Sequence, residues 1–184
     1  NGYETWLWDD HGDSQSPPRK IHGFYSESSI DELIWRRTES KKLNDITPDE
    51  KILGDRDYQY QSLEAICNAY DSGKRRALAV QATGTGKTRL AIALADVVLK
   101  ANAGRRVLFL CDRRELRKQA KNAFDEFIGA PSTILSKASM GDPSQLFFAT
   151  YPAMAKIFKQ FDPGFFHLII ADESHRSIYN VYGD

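Results

Sequence analysis

Ala77-Leu78-Ala79-Val80-Gln81-Ala82-Thr83-Gly84-Thr85-Gly86-Lys87-Thr88, residues 77–88, is the stretch on which the fold turns. A short apolar run, Ala77–Gln81, reads as a strand, and Lys87–Leu99 continues at helical spacing, so the Gly-rich segment joins a strand to a helix. Glycines at 84 and 86 let the backbone curl around a phosphate, with successive N–H groups and the helix N-terminus aimed at it. Lys87 would then reach the β- and γ-phosphates of ATP, and the Thr88 hydroxyl would ligate Mg²⁺. Residues 83–88 (Thr83, Gly84, Thr85, Gly86, Lys87 and Thr88) are therefore expected to hold Mg²⁺–ATP. The strict pattern asks for glycine at its first position, where this sequence has Gln81. The competing explanation is a Gly-rich turn with an unrelated lysine.

Downstream the same alternation repeats. A strand is expected at Val107–Cys111, a helix at Glu115–Phe127, a strand around Gln145–Ala149, a helix around Ala153–Phe158 and a strand at Phe166–Ala171. Short apolar strands separated by helices make a parallel sheet with helices on both faces. The expected fold is α/β, a doubly wound P-loop NTPase (RecA-like) sheet preceded by an N-terminal connector segment. Immediately upstream, Leu63, Ile66, Cys67 and Tyr70 recur at helical spacing until Gly73.

The first 54 residues have a different texture. Tyr3, Trp6 and Trp8 alternate with polar residues, and a turn-rich stretch from Asp9 to Pro18 leads to a returning strand through Ile21 and Phe24. Ser29-Ile30-Asp31-Glu32 has capping-box spacing and is expected to start a short helix through Leu33, Ile34 and Trp35. Glu39 to Gly54 is polar without a clear period and reads as a linker.

The chain has 184 residues, of which 41% are hydrophobic, enough for one packed domain and an appendage. No apolar run approaches the roughly 18–20 residues that span a bilayer, and no leader pattern is present, so a cytoplasmic protein with no membrane partner is expected. It opens on Asn1 and stops at Asp184, which reads as a fragment. The net charge of zero conceals an asymmetry: residues 1–60 hold 13 acidic and 8 basic side chains, the remainder 12 and 17. A polyanion would prefer the second part. Cys67 and Cys111 have no metal-ligand spacing and read as buried thiols.

A second carboxylate site completes the chemistry. Leu168-Ile169-Ile170-Ala171 is an apolar strand ending in Asp172-Glu173-Ser174-His175. Strand C-termini of a parallel sheet face its ligand crevice, so this end belongs beside the phosphate loop. Asp172 would hold the Mg²⁺ shell and Glu173 would orient and deprotonate the attacking water. The competing role is a simple cap for a following helix.

Asp-Glu-Ser-His resembles the DExH form of motif II in superfamily 2 helicases and translocases, which also commonly depart from glycine at the position of Gln81. Arg56-Asp57-Tyr58-Gln59 resembles their adenine-recognition motif. The resemblance implies that Gln59 reads adenine, whose N6 and N7 suit a bidentate amide, while Arg56 and Tyr58 support or stack on it. Val107–Gln119 resembles motif Ia, and seven basic residues against two acidic ones lie between Arg105 and Lys121. By that likeness Arg113, Arg114 and Arg117 would touch DNA phosphates without reading sequence. Phe148-Ala149-Thr150-Tyr151 resembles the next DNA-side segment, with Thr150 as its contact.

The likeness extends to a narrower group. Asn1-Gly2-Tyr3-Glu4, Pro18-Arg19-Lys20 and Gly23-Phe24-Tyr25, followed by the capped helix and the motifs above, are similar in order and spacing to the restriction (motor) subunit of type I restriction-modification enzymes. That resemblance implies that residues 1–50 are the tail of a nuclease domain with its connector, and that 51–184 form the first RecA-like domain, cut after motif II. It implies duplex DNA, modification and specificity subunits, and a second RecA-like domain in the parent chain as partners. Arginines from that second lobe would be needed for rapid hydrolysis, so residues 1–184 alone should hydrolyse ATP negligibly. Alternatives are another DExH DNA or RNA helicase and a non-catalytic nucleotide-binding module. Glu39-Ser40-Lys41 and Pro48-Asp49-Glu50-Lys51 superficially suit a metal-dependent nuclease, but they sit in a polar stretch without strand pattern. Asp9, Asp10, His11 and Asp13 read as a turn-rich acidic loop.

Overall fold

The computed structural model describes residues 4–9, 16–136 and 141–173. Its centre is a four-stranded parallel sheet of β3 (Val107–Cys111), β4 (Ser132–Ile134), β5 (Leu146–Thr150) and β6 (Leu168–Ala171), in the order β4-β5-β3-β6. The two inner strands β3 and β5 are almost wholly apolar because both their faces are covered. On one face Val107, Phe109, Cys111, Leu146 and Phe148 pack with α4 (Lys87–Lys100) and α5 (Arg114–Phe127). There Phe124 meets Phe148 edge-on at 5.2 Å between ring centroids. On the other face Leu108, Phe147 and Ala149 pack against Leu135 and against Ile157 of α6 (Tyr151–Ile157), with Phe165 and Phe166 alongside. The doubly wound α/β reading is therefore correct.

Register places the strand ends together. Cys111 stands opposite Thr150, and Leu110 opposite Ala171. The turns after β3 and β6 thus open at one end of the sheet, where α4 also begins.

Three local expectations need correction. Ala77–Gln81 is extended, but it joins no sheet among the described residues. A strand needs a ladder for its backbone groups; here Leu78 and Val80 are 84% and 86% exposed instead. The first helix, α1 (Glu27–Glu39), starts earlier than expected because Ser26 is the cap, accepting from the Ser29 N–H. Ser29 lies inside the helix, buried, and donates from Oγ to Asp162 at 3.0 Å.

The third correction concerns the linker. Leu43, Ile52 and Leu53 are buried in the main core, and Glu50–Leu53 forms the one-turn helix α2. Burial of side chains of this size contributes roughly 1.5–3 kcal/mol each. Asp71, on α3 (Asp57–Asp71), accepts from the Leu43 and Asn44 N–H groups. Arg89 donates to the carbonyls of Lys51 and Ile52. Polar composition concealed this because only four apolar residues, these three and the partly buried Ile46, anchor the segment. Asp49 caps α2 through the Lys51 N–H rather than facing a metal. Among the described residues no cluster of three or more His, Cys, Asp or Glu could hold a metal ion.

The opening residues form a hairpin, β1 (Thr5–Asp9) against β2 (Ser16–Ile21), with the returning strand starting inside the expected turn-rich stretch and ending before Phe24. Asp9 pairs with Arg37 of α1 at 2.6 Å. Asp10, His11 and Asp13, like Ser174 and His175, lie outside the described residues. Both cysteines are free and buried, and burial pushes each thiol up to about 11. No described helix is long and apolar enough to cross a membrane.

Candidate active site

The phosphate loop is held from beneath. Gly84 and Gly86 adopt φ of 81° and 93°, the left-handed region that glycine enters without steric cost. Gly86 is crowded as well: a Cβ there would sit 3.2 Å from both Arg56 Nη1 and Gln59 Nε2. Gln59 is fully buried, and its Nε2 donates to the Thr85 carbonyl at 2.6 Å. The Tyr58 hydroxyl donates to the same oxygen at 2.9 Å. Thr85 Oγ1 closes the turn by donating to the Ala82 carbonyl. Gln81, where the strict motif has glycine, donates from Nε2 to Ser62 Oγ on α3.

Helix α4 begins at Lys87 with no side chain capping it. Its first N–H groups therefore face the loop, as an anion requires. Lys87 Nζ lies 3.3 Å from Glu173 Oε1, joining residues 86 apart in sequence. Thr88, Asp172 and Glu173 line the same groove of about 570 Å³ as Lys87. The groove runs on between Leu78 and Val80 on one side and Ile169 on the other.

Glu173 leaves the end of β6 with φ of 52°, a conformation a residue with a Cβ holds only when its surroundings impose it. Tyr151 contributes by donating from its hydroxyl to the Asp172 carbonyl at 2.8 Å. Sequence reasoning missed that role, because the contact joins the start of α6 to the turn after β6, 21 residues apart, with no shared motif. Burial pushes the Asp172 carboxyl up, neighbouring Glu173 adds to the rise, and Lys87 partly opposes it.

A raised carboxyl pKa means that the fold favours the protonated form. The corresponding stability is present below the ordinary aspartate range, about pH 3.9, and is lost as pH rises through the folded value. At neutral pH the ionised Asp172 is therefore a liability to the protein without a cation. Asp172→Asn should raise the melting temperature at about pH 7, and that advantage should disappear below about pH 4. Equal melting of the two proteins at neutral pH would count against this charge balance.

The residues marked for base recognition are placed unequally. Arg56 and Tyr58 are exposed beside the loop, while Gln59 lies under it with its amide donor committed to Thr85. Its Oε1 has no partner among the described groups. Arg113 and Arg114 are exposed at the start of α5. Arg117 is half-buried, with Nε lacking a partner. Thr150 is 7% exposed, and its hydroxyl accepts from the Ala153 N–H as the cap of α6.

The sequence profile of the family described as "Type III restriction enzyme, res subunit" matches residues 52–184, which carry every element of this site. The chain belongs to this family. It is also 35% identical over 153 residues to the type I restriction enzyme EcoAI endonuclease subunit of Escherichia coli, an alignment covering 78% of this chain and 19% of that relative. It is 33% identical over 141 residues to the EcoKI endonuclease subunit of Escherichia coli strain K12, covering 70% of this chain and 12% of that one. The chain thus spans less than a fifth of either relative's length. A solved fragment of an HsdR subunit of a type I restriction enzyme from Vibrio vulnificus YJ016 superposes with a TM-score of 0.59 at 25% identity, covering 97% of this chain and 33% of that one. Family and fold agree with the expected restriction motor subunit and its RecA-like sheet.

Proposed function

We propose that this chain is the ATP-binding lobe of a type I restriction motor, in which Mg²⁺–ATP hydrolysis drives movement along duplex DNA before cleavage. The observation that carries the reading is the Lys87–Glu173 approach, which brings the phosphate loop and the strand-end carboxylate into one groove. The donor set suits the ligand: unpaired helix N–H groups and a lysine for phosphate, a hydroxyl and a carboxylate for a hard divalent cation.

In this proposal Thr83, Gly84, Thr85 and Gly86 wrap the phosphates through their backbone. Thr88 and Asp172 hold Mg²⁺, which when bound neutralises charge on the phosphates. Lys87 exchanges Glu173 for a phosphate oxygen, which frees the Glu173 carboxylate to take a proton from water. Arg56 and Tyr58 flank the base, and Gln59 can offer it Oε1 while its Nε2 braces the loop. A second RecA-like domain would supply the remaining catalytic charge, and modification and specificity subunits would complete the assembly. Residues 1–50 would connect to a nuclease domain.

DNA would follow the exposed arginines at the start of α5. Each phosphate neutralised releases counterions and steepens the salt dependence of binding. Charge reversal of Arg113, Arg114 and Arg117 in the full-length protein should weaken duplex binding and flatten that slope by roughly 0.9 per lost contact. Thr150→Ala should leave it unchanged. An unaltered slope in the arginine variant would leave α5 as a solvated basic helix.

A further inference from the structure

At the opposite end of the sheet from the phosphate loop lies a second cavity of about 430 Å³. Hairpin β1–β2, helix α1, the loop ahead of β6 and the segment after α3 meet there. Four guanidinium groups line it: Arg19, Arg36, Arg37 and Arg75. Their counter-charges are few. Asp9 takes Arg37 at 2.6 Å. Among the described residues Arg19 donates to the Tyr25 hydroxyl alone, at 3.3 Å.

The other nearby carboxylate is already engaged. Glu32 receives both terminal nitrogens of Arg106, at 2.8 and 2.7 Å, and His167 Nε2 at 2.8 Å. His167 Nδ1 accepts from the Arg105 and Arg106 N–H groups, so Nε2 carries the proton and donates to Glu32. Burial, then the surrounding arginines, push this imidazole down to about 3, and it adds no charge to the cavity. The guanidinium groups of Arg36 and Arg75, both lining the cavity, have neither ion pair nor hydrogen bond among the described residues. Burial pushes both down; at Arg36 Tyr25 and Glu32 oppose the effect while Arg75 and Arg37 add to it, and at Arg75 Arg19 adds to it while Tyr25 and Asp9 oppose it.

Among the described residues Asp9 is the one carboxylate lining the cavity, and partly desolvated cations that so outnumber carboxylates are costly unless an anion joins them. A single carboxylate offers one charge and two oxygens, too little for three unmatched arginines. A phosphate group offers more charge and three or four oxygens, and the planar guanidinium fork fits such oxygens two at a time. We propose that this cavity is a phosphate-binding site, separate from the ATP groove, in which Arg19, Arg36 and Arg75 grip the oxyanion. The volume exceeds a bare phosphate, so the group can belong to a larger molecule, either a free phosphate compound or the end or backbone of a nucleic acid. This assignment does not depend on the ATP reading.

The test uses inorganic pyrophosphate as probe, in a Lys87→Ala background that silences the phosphate loop. Calorimetry should show one saturable site that persists when ionic strength is held constant with chloride. Arg75 is exposed, so Arg75→Gln spares the packing, and it should weaken that site at least tenfold. Arg36→Gln/Arg75→Gln should remove it. The double variant should melt no lower than its parent without anion, because it relieves repulsion, and it should lose the rise in melting temperature that pyrophosphate gives the parent. A 5′-phosphorylated duplex that competes with pyrophosphate, where its unphosphorylated counterpart does not, would identify a nucleic-acid end as the source. Competition by both duplexes would identify the backbone, and by neither a free phosphate compound. No binding in the Lys87→Ala background, or binding indifferent to Arg75→Gln, would overturn the site and leave the cavity as a socket for protein carboxylates.

Discussion

Lys87→Ala should abolish ATP binding at working concentrations. Among the described residues Lys87 pairs with Glu173 at 3.3 Å, and about a third of its side chain is exposed. An ion pair in such a position is worth roughly 0–1 kcal/mol, so its loss should barely alter stability. With nucleotide the same ammonium would face phosphate oxygens inside a groove, and charge-assisted hydrogen bonds of that kind are worth roughly 1.5–3 kcal/mol each. Two of them amount to a loss of roughly 10²–10⁴ in affinity. Calorimetry with Mg²⁺–ATP, beside a melting curve that establishes folding, reads both quantities. Wild-type affinity in a folded Lys87→Ala protein would remove the phosphate-loop assignment.

Glu173→Gln should separate binding from chemistry. The amide keeps the size of the side chain, and the left-handed backbone at 173 is as tolerable for glutamine as for glutamate. On the proposed reading phosphate contacts would come from the loop, α4 and Lys87, none of which needs the carboxylate charge. ATP affinity should therefore stay within a few fold, and it should rise slightly where Glu173 had competed for Lys87. Turnover in the full-length protein with duplex DNA should fall by roughly 10²–10⁴, the usual contribution of a positioned general base. Unchanged steady-state phosphate release would show that Glu173 serves only as the resting partner of Lys87.

The sequence made the site's local pieces legible, and the structure supplied what joins them. Gly84 and Gly86 could be read as left-handed turn positions because few residues tolerate that backbone. The β3, β5 and β6 runs could be read as two-faced strands because both their faces are apolar. Gln59 was harder: it stands at the start of a helix, and only the folded chain brings its amide under Thr85, 26 residues away. The capping role of Thr150 was hidden in the same way, since only the folded chain shows that its hydroxyl closes the start of α6. Glu32, Arg106 and His167 left no trace at all, because their cluster joins three distant segments that share no spacing.

The unladdered stretch 77–81 bears on how firmly the protein can hold a ligand. It is the stalk of the phosphate loop, and no strand bonds fix it among the described residues. Ordering a residue's backbone costs roughly 1–2 kcal/mol in conformational entropy. A nucleotide that must quiet this stalk as it binds surrenders part of its gross interaction energy to that ordering. Any strand seated between 77–81 and the open edge of β6 would fix the stalk in advance, and it would tighten the grip on ATP without touching it. Sheet completion and nucleotide affinity would then be linked quantities, each strengthening the other by the same factor.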